Sequence, residues 1–262
     1  MRDFFLISDV SFPAFPLNAL MFLLWVVSVF FLWKDARNSR LCSFLLSPRA
    51  TSIAIGLLLV SGIIIGLTGR REYVVSWPFI ILLLFFQTVL LMVILRGWRR
   101  KGTDGRYMVR WRFILLHAGL LTAVASAFWG APDTEVLRVR LQMDYSSFAE
   151  KTIVEAFRED GSRTWINYGM VLTDFKMETN DEGVPVMYEA SLLIDGEKAG
   201  IKVNHPYSRR FGENTYLTGH DPYTGAGIFM IVYEPWKYTA LAGIILMLVG
   251  ALLLFIQGPR KR

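Results

Sequence analysis

The sequence predicts an α-helical polytopic membrane protein, with about five transmembrane helices and an antiparallel β-rich domain outside the bilayer. Three observations predict this fold class. First, 53% of the 262 residues are hydrophobic. Second, the chain contains five apolar runs, and roughly 20 apolar residues are enough to cross a bilayer. Third, residues 132–235 alternate apolar and polar side chains, a pattern typical of strands with one buried face.

The apolar runs divide the chain into three parts. The first part, residues 1–131, is a membrane block with four spans, at residues 17–33, 51–69, 77–96 and 113–131. The extracytoplasmic domain occupies residues 132–235. Residues 236–262 then hold a final span, at 237–257, and a short basic tail. The first run is short enough to resemble a signal peptide, but it lacks a small-residue cleavage site, so we interpret it as a retained span.

Basic residues predict the orientation of these spans, because Lys and Arg near span ends stay on the cytoplasmic side. Three basic clusters would lie on the same side: between the first and second spans, between the third and fourth, and at the carboxyl terminus. The amino terminus and residues 132–235 are therefore expected outside, and the carboxyl terminus is expected in the cytoplasm. Arg70 and Arg71 would lie outside, against this rule, but the three clusters are larger.

The charge is distributed unevenly along the chain. Residues 132–235 contain 10 Lys and Arg against 17 Asp and Glu, a net charge of −7, so the other residues carry +13 of the total of +6. The positive charge therefore reflects membrane topology. A nucleic-acid-binding protein would need basic residues clustered on a soluble fold, so no nucleic-acid partner is expected.

Within residues 132–235, turn sequences such as NDEG and DGEK separate the alternating runs. Antiparallel strands are predicted at residues 136–144, 169–178, 185–196, 198–204 and 227–234. Residues 146–160 have helical spacing and are predicted to form one short helix. The single cysteine, Cys42, excludes an internal disulfide and dithiol exchange within the chain.

His117 is the histidine that falls within a predicted span, about 6 to 8 Å along the helix from its cytoplasmic end. An ionisable side chain in a span is costly and usually faces a partner, a cavity or a cofactor. Imidazole is a common axial ligand of haem iron, and nearby arginines such as Arg110 and Arg112 are candidates to bind the haem propionates. The other interpretation is a neutral histidine that donates to a backbone carbonyl. The residues alone leave both interpretations open.

Other chemistries have less support in the sequence. His205 and His220 flank a loop rich in Pro, Gly, Asn and Arg, but the sequence lacks acidic or cysteine neighbours at metal-ligand spacing, which favours turn or surface histidines. Neither GxSxG nor HExxH occurs, and the glycine-rich phosphate signatures are also missing. Neither catalytic residues nor a metal other than haem iron is expected.

Several segments, taken in order, resemble the ResB (CcsB) family of the system II cytochrome c biogenesis pathway. The first three spans of that family are similar to TSIAIGLLLVSGIIIGLTG, to SWPFIILLLFFQTVLLMVILRGWRR and to the segment containing RFILLHAGLL. The outer segment NYGMVLTDFKMETNDEG and the closing IVYEPWKYTALAGIILMLVGALLLF also resemble the family's pattern. The likeness covers residues 50–257, and the span at 17–33 is additional to the usual four.

The resemblance implies a non-catalytic subunit of a cytochrome c synthetase in the bacterial cytoplasmic membrane. Its expected partners are apocytochrome c and a CcsA-like membrane protein whose tryptophan-rich segment holds haem. The eight tryptophans of this chain do not form such a segment. The family's transmembrane histidine, implicated in haem binding, would correspond to His117. The alternative is a membrane-anchored scaffold or sensor whose outer domain binds a protein or ligand; a transporter is less favoured because the spans show no repeat.

Overall fold

The structure is a computed structural model that describes residues 13–35, 39–69, 71–101, 107–143, 153–182, 185–221 and 223–257. The chain divides into two compact units. Met1–Pro132 and Trp236–Arg262 form a helical unit, and Asp133–Pro235 form a β unit.

The helical unit contains five long apolar helices and one short helix. In chain order they are α1 (Leu17–Asp35), α2 (Arg40–Leu45), α3 (Pro48–Thr68), α4 (Trp77–Gly97), α5 (Trp111–Trp129) and α6 (Lys237–Gln257). Within the described residues, all except α2 are long and apolar enough to cross a membrane. The five helices predicted from the apolar runs are therefore confirmed as helices. The fourth begins and ends two residues earlier than the predicted span at 113–131.

The limits of α3 show how local sequence sets the helix ends. The side chain of Ser47 accepts a hydrogen bond from the backbone N–H of Ala50 at 3.3 Å, which satisfies one of the free donors of the first turn. Pro48 occupies the first helical position, where its missing N–H costs nothing. Gly69 ends the helix at φ 62°, a left-handed conformation that glycine adopts without steric cost.

A two-stranded hairpin connects α4 to α5. Its strands are β1 (Arg99–Lys101) and β2 (Tyr107–Val109), which pair antiparallel with Arg99 opposite Val109. The backbone N–H of Arg110 also donates to the carbonyl of Trp98 at 2.9 Å. This hairpin brings the last turn of α4 next to the first turn of α5.

α4 is the most buried of the long helices. Val89 and Met92 lie in a cluster with Val29 of α1, Cys42 of α2 and Ala50 of α3. Each of these five side chains is at most 4% exposed. α4 therefore packs against α1, α2 and α3.

Three glycines bring α5 and α6 into backbone contact. A Cβ on Gly119 would lie 2.6 Å from the backbone nitrogen of Met247, and one on Gly243 would lie 2.6 Å from the backbone nitrogen of Ala123. Gly250 similarly faces the backbone of Leu116 at 2.8 Å. Any larger residue at these positions would separate the helices. We call this contact the glycine seam.

The helical unit also buries a polar cluster. Gln87, in the middle of α4, accepts a hydrogen bond through Oε1 from the indole N–H of Trp129 at 3.2 Å. Asn18 of α1 donates to the backbone carbonyl of Trp129 at 2.8 Å. Asn18 and Gln87 are both at most 1% exposed. Because apolar surroundings strengthen such bonds, the cluster fixes how α1, α4 and α5 contact one another.

The β unit is one antiparallel sheet of eight strands. They are β3 (Glu135–Leu141), β4 (Ile153–Arg158), β5 (Arg163–Thr179), β6 (Pro185–Ile194), β7 (Glu197–Lys202), β8 (Tyr207–Arg210), β9 (Glu213–Asp221) and β10 (Ala226–Tyr233). Their order across the sheet is β7-β6-β5-β4-β3-β10-β9-β8. β7 also packs against β8 and β9, so the sheet curves into a barrel-like form.

Alternation along β5 builds much of the core of this sheet. Ile166, Tyr168, Met170 and Leu172 point inward and are all buried, while the residues between them are more exposed. Phe229 of β10 is fully buried in the same core. The first half of β5 pairs with β4 and its second half pairs with β6, so this long strand holds the two sides of the sheet together.

The strand predictions were right for part of the β unit and wrong elsewhere. The runs predicted at 136–144, 169–178, 185–196, 198–204 and 227–234 lie on β3, β5, β6, β7 and β10. The helix predicted at 146–160 is wrong over residues 153–158, which form β4. Residues 146–152 of that prediction, and residue 144 at the end of the first predicted strand, lie outside the described residues.

A buried ionic cluster joins β5, β8 and β9. Glu213 is 2% exposed, and its two carboxylate oxygens accept hydrogen bonds from the hydroxyl of Tyr168 at 3.0 Å and from Nε of Arg210 at 2.5 Å. Arg209 lies 3.6 Å from the same carboxylate, stacks over the Tyr168 ring and bonds to Asp195 at 2.9 Å. The charge of Glu213 is therefore compensated inside the protein.

Tyr168 gives the β unit a predicted sensitivity to alkaline pH. Burial, and then the charge of Glu213, raise the pKa of Tyr168 above its ordinary value of 10.0. The unfolded chain therefore loses this proton at lower pH than the folded chain does. The stabilisation is present below pH 10.0 and is lost as the pH rises, by about 1.4 kcal/mol per pH unit for one proton.

We expect Tyr168→Phe to remove this contribution from the free energy of unfolding of the full chain in detergent, measured between pH 9 and 11. Tyr223→Phe is the control, because Tyr223 is 96% exposed. Its pH dependence should match the wild type. Equal slopes for the wild type and Tyr168→Phe would show that this phenol does not produce the effect.

Candidate functional site around His117

His117 lies in the second turn of α5 and is half-buried. Its ring nitrogen Nδ1 lies 2.8 Å from the backbone carbonyl oxygen of Phe113, one turn earlier in the same helix. A carbonyl oxygen can only accept a hydrogen bond, so Nδ1 must carry the proton. In the neutral ring, Nε2 then holds the lone pair.

This arrangement suits a metal ligand. Histidines that bind metals through one nitrogen commonly donate the other N–H to a carbonyl or carboxylate, which fixes the tautomer and the ring orientation. The sequence left open whether His117 is a ligand or merely donates to a backbone carbonyl. The structure contains the backbone bond, and that bond leaves Nε2 available, so the two roles are compatible.

The ring of His117 stacks on the ring of Phe113, with centroids 4.1 Å apart and an angle of 28° between the planes. The guanidinium carbon of Arg110 lies 4.7 Å from the centroid of the Phe113 ring. Phe113 and His117 are four residues apart and lie on one face of α5, and Arg110 immediately precedes the helix. We call Arg110, Phe113 and His117 the α5 stack.

The end of α4 completes the surroundings of the α5 stack. Arg110 donates from Nη1 to the carbonyl oxygen of Gly97 at 3.3 Å. A Cβ on Gly97 would lie only 2.4 Å from the ring carbon Cζ of Phe113, so the ring occupies space that another residue would fill. The absence of a side chain at position 97 therefore allows the Phe113 ring to contact α4.

Arg110 and Arg112, the residues predicted to bind propionates, have different environments. Arg110 is exposed, bonds to Gly97 and covers the Phe113 ring. Arg112 is half-buried near the start of α5 and has an interaction of its own. A role for either arginine in binding a carboxylate stays a prediction.

The two other histidines lie in the β unit. His205 is an exposed turn residue between β7 and β8. His220 lies in β9, where its ring stacks on Phe175 with centroids 4.7 Å apart. Across the described ranges, no group of three or more His, Cys, Asp and Glu is arranged to hold a metal ion.

The β unit also contains a concave pocket of about 300 Å³. It lies at the end of the sheet where β3 begins and β10 ends, and the buried Ile166 and Ile231 are among the residues that line it. Trp165 lines it and is 64% exposed, an unusual environment for such a large ring. Arg158 and Arg210 contribute positive charge, each beside a glutamate.

Sequence reasoning identified His117 and Arg110 but missed Phe113 and Gly97, which contact them. The spacing of Phe113 and His117 places them on one helical face, so that contact was detectable in the sequence. Gly97 gave no such signal, because its role depends on how α4 packs against α5. Gln87 was also missed, although an amide in an otherwise apolar span is itself a signal of a buried polar contact.

The comparison with known families supports the resemblance seen in the sequence. The ResB-like family model matches residues 104–228, a range that contains α5, with His117, and most of the β unit. Helices α1, α3 and α4 precede the matched range. No curated protein matches the chain. The match suggests a role related to cytochrome c biogenesis, and over residues 104–228 it agrees with the ResB resemblance predicted from the sequence.

Proposed function

We propose that this protein is the ResB-like component of the system II cytochrome c maturation complex. It would bind haem at His117 and help to deliver it across the membrane for covalent attachment to apocytochrome c. The observation that carries the proposal is the hydrogen bond from Nδ1 of His117 to the Phe113 carbonyl, which leaves Nε2 with its lone pair. The ResB-like match over α5 supports the assignment.

Haem would be the cargo, and His117 would supply an axial ligand to its iron. The half-buried position of the imidazole keeps it accessible at the edge of the helical unit, while the Phe113 ring fixes one of its faces. Arg110 and Arg112 would provide positive charge for the two propionates. The residues that join haem to apocytochrome c are assigned to the partner, so this chain would be a non-catalytic subunit.

The proposed orientation places the amino terminus and the β unit outside the bacterial cytoplasmic membrane and the carboxyl terminus inside. The basic clusters beside the spans support it. His117 would then lie near the cytoplasmic side, where it would receive haem. The partners would be a CcsA-like protein with a tryptophan-rich segment and apocytochrome c, and the acidic β unit would hold one of them.

The pocket of the β unit favours a second candidate function. A cavity of about 300 Å³ is at the lower limit for small-ligand sites, and an exposed tryptophan at its edge is typical of a binding surface. The protein would then be a membrane-anchored scaffold or sensor, and His117 would have only a structural role.

Deletion of the gene from its host separates the two functions. If the protein is the ResB-like component, all covalently haem-bound c-type cytochromes should disappear together, as detected by haem staining of membrane proteins after denaturing electrophoresis. The wild-type gene should restore them. A deletion strain that retains its c-type cytochromes would contradict the maturation role and support the scaffold or sensor.

A further inference from the structure

The contact between Gly97 and Phe113 has a consequence for His117. We propose that Gly97, in the last turn of α4, is a positioning residue for His117 and acts through the Phe113 ring. The inference rests on the proposed function only in that His117 binds haem. The inference adds Gly97, a residue of a different helix, and states that it determines whether Nε2 of His117 is oriented to bind a ligand.

The first step is the space at position 97. A Cβ there would lie 2.4 Å from Cζ and 2.6 Å from Cε1 of the Phe113 ring, whereas ordinary contact begins at 3.4 Å. The obstructing atoms belong to the far end of a side chain, so the ring would move and the helix backbone would stay. An added methyl group would thus displace the ring while leaving α4 intact.

The second step is the contact from the ring to the imidazole. The Phe113 and His117 rings are 4.1 Å apart and nearly parallel, so a displaced Phe113 ring would either collide with the imidazole or leave one face of it unsupported. The hydrogen bond from Nδ1 to the Phe113 carbonyl depends on the orientation of that imidazole. Losing this orientation would release the fixed tautomer.

The third step is the fixed relation between α4 and α5. Arg110 donates to the carbonyl of Gly97 at 3.3 Å, and its guanidinium carbon lies over the Phe113 ring, 4.7 Å from the centroid. The same guanidinium therefore contacts both the residue that makes space for the ring and the ring itself. Gly97, Arg110 and Phe113 form a closed set of contacts around the ring that supports His117.

The test compares Gly97→Ala with Gly62→Ala in the full-length protein in detergent micelles. Gly62 lies within α3 and has nothing within 4 Å of the position of an added Cβ, so the control adds the same methyl group to a helix without a contact. The protein is labelled with ¹⁵N-histidine, and the His117 signals are assigned by their absence in His117→Ala. Hemin affinity is measured separately from the Soret band.

We expect the wild type and Gly62→Ala to show His117 with a protonated Nδ1 and an unprotonated Nε2. Gly97→Ala should show a mixture of tautomers, and its hemin affinity should fall about ten- to a hundredfold, the usual effect of losing a group that orients a metal ligand. Thermal unfolding should show that both variants fold. If Gly97→Ala fails to fold, Phe113→Leu, which removes the ring and keeps the backbone carbonyl, should produce the same changes.

Two results separate the inference from the proposed function. If Gly97→Ala and Gly62→Ala share the same ¹⁵N spectrum and the same hemin affinity, Gly97 does not position His117, while loss of binding in His117→Ala would still support the haem role. If the wild type binds no hemin, the haem role fails. The ¹⁵N spectra then decide the positioning role alone.

Discussion

Replacing His117 with alanine should abolish the Soret band of protein-bound hemin, measured on the purified protein after unbound hemin has been removed. The variant lacks the imidazole whose Nε2 the Phe113 carbonyl bond leaves available. Its fold should persist, because alanine favours a helix and the deleted hydrogen bond lies within α5 itself, so the free energy of unfolding should change by no more than about 1 kcal/mol. Absorbance near 400 nm and a thermal unfolding curve are the two measurements.

His205→Ala is the matched control for this result. His205 is exposed in a turn of the β unit, so it is chemically able to bind hemin non-specifically but is not part of the α5 stack. The Soret band of this variant should equal that of the wild type. A His117→Ala protein that keeps the full band would remove the ligand role from His117.

Replacing Glu213 with glutamine should destabilise the β unit by about 2 to 4 kcal/mol. The substitution keeps the side-chain size but removes the negative charge that compensates Arg209 and Arg210. It also places an amide N–H₂, which can only donate, against the N–H donors of the arginines or against the Tyr168 hydroxyl. The cost stays below that of a fully buried pair, because the side chain of Arg210 is 56% exposed and can turn to water. Denaturant unfolding of the full chain, followed by a spectroscopic signal of the β unit, measures the change.

Glu189→Gln provides the comparison. Glu189 pairs with Lys202 at 3.3 Å, but the two side chains are 39% and 48% exposed, so water screens the pair. Its loss should change stability by less than about 1 kcal/mol. Equal effects of the two substitutions would show that burial does not make the Glu213 cluster more important than a surface pair.

The long helices were predictable because each is specified by its own sequence. In a bilayer, where no water is available, an apolar run can satisfy its backbone hydrogen bonds only by forming a helix. The helical conformation of the five long apolar helices therefore does not depend on contacts with distant parts of the chain. The limits of α3 were equally local, through Ser47 and Gly69. The short helix α2 was missed, since six residues with no long apolar run give a weak signal.

Strands were harder to predict because their partners lie far away in the sequence. Residues 153–158 have the spacing of an amphipathic helix, yet they form β4 because β3 and β5 are available to pair on both sides. Neither β8 nor β9 was predicted as a strand, because the segment between His205 and His220 was interpreted as a loop rich in Pro, Gly, Asn and Arg. Tertiary pairing overrides local pattern in such segments.

The candidate site was predictable only where its residues lie close together in the sequence. His117 stood out as the histidine within a predicted span, and the i, i+4 spacing to Phe113 follows from helical geometry. The proton on Nδ1 required coordinates, because it depends on a distance of 2.8 Å to one carbonyl oxygen. Gly97 required the packing of two helices, which no pattern along a single helix contains.

The glycine seam determines which movements are open to His117. Because Gly119, Gly243 and Gly250 bring the backbones of α5 and α6 into contact, sliding of one helix along the other would force main-chain atoms past one another. α5 and α6 are therefore expected to move together as one rigid body. The contact with α4 at Gly97 is instead made by a side chain that can rotate. If His117 changes position as it takes up or releases a ligand, the contact that must change is that of the Phe113 ring with Gly97, while the backbone contact of α5 with α6 would persist.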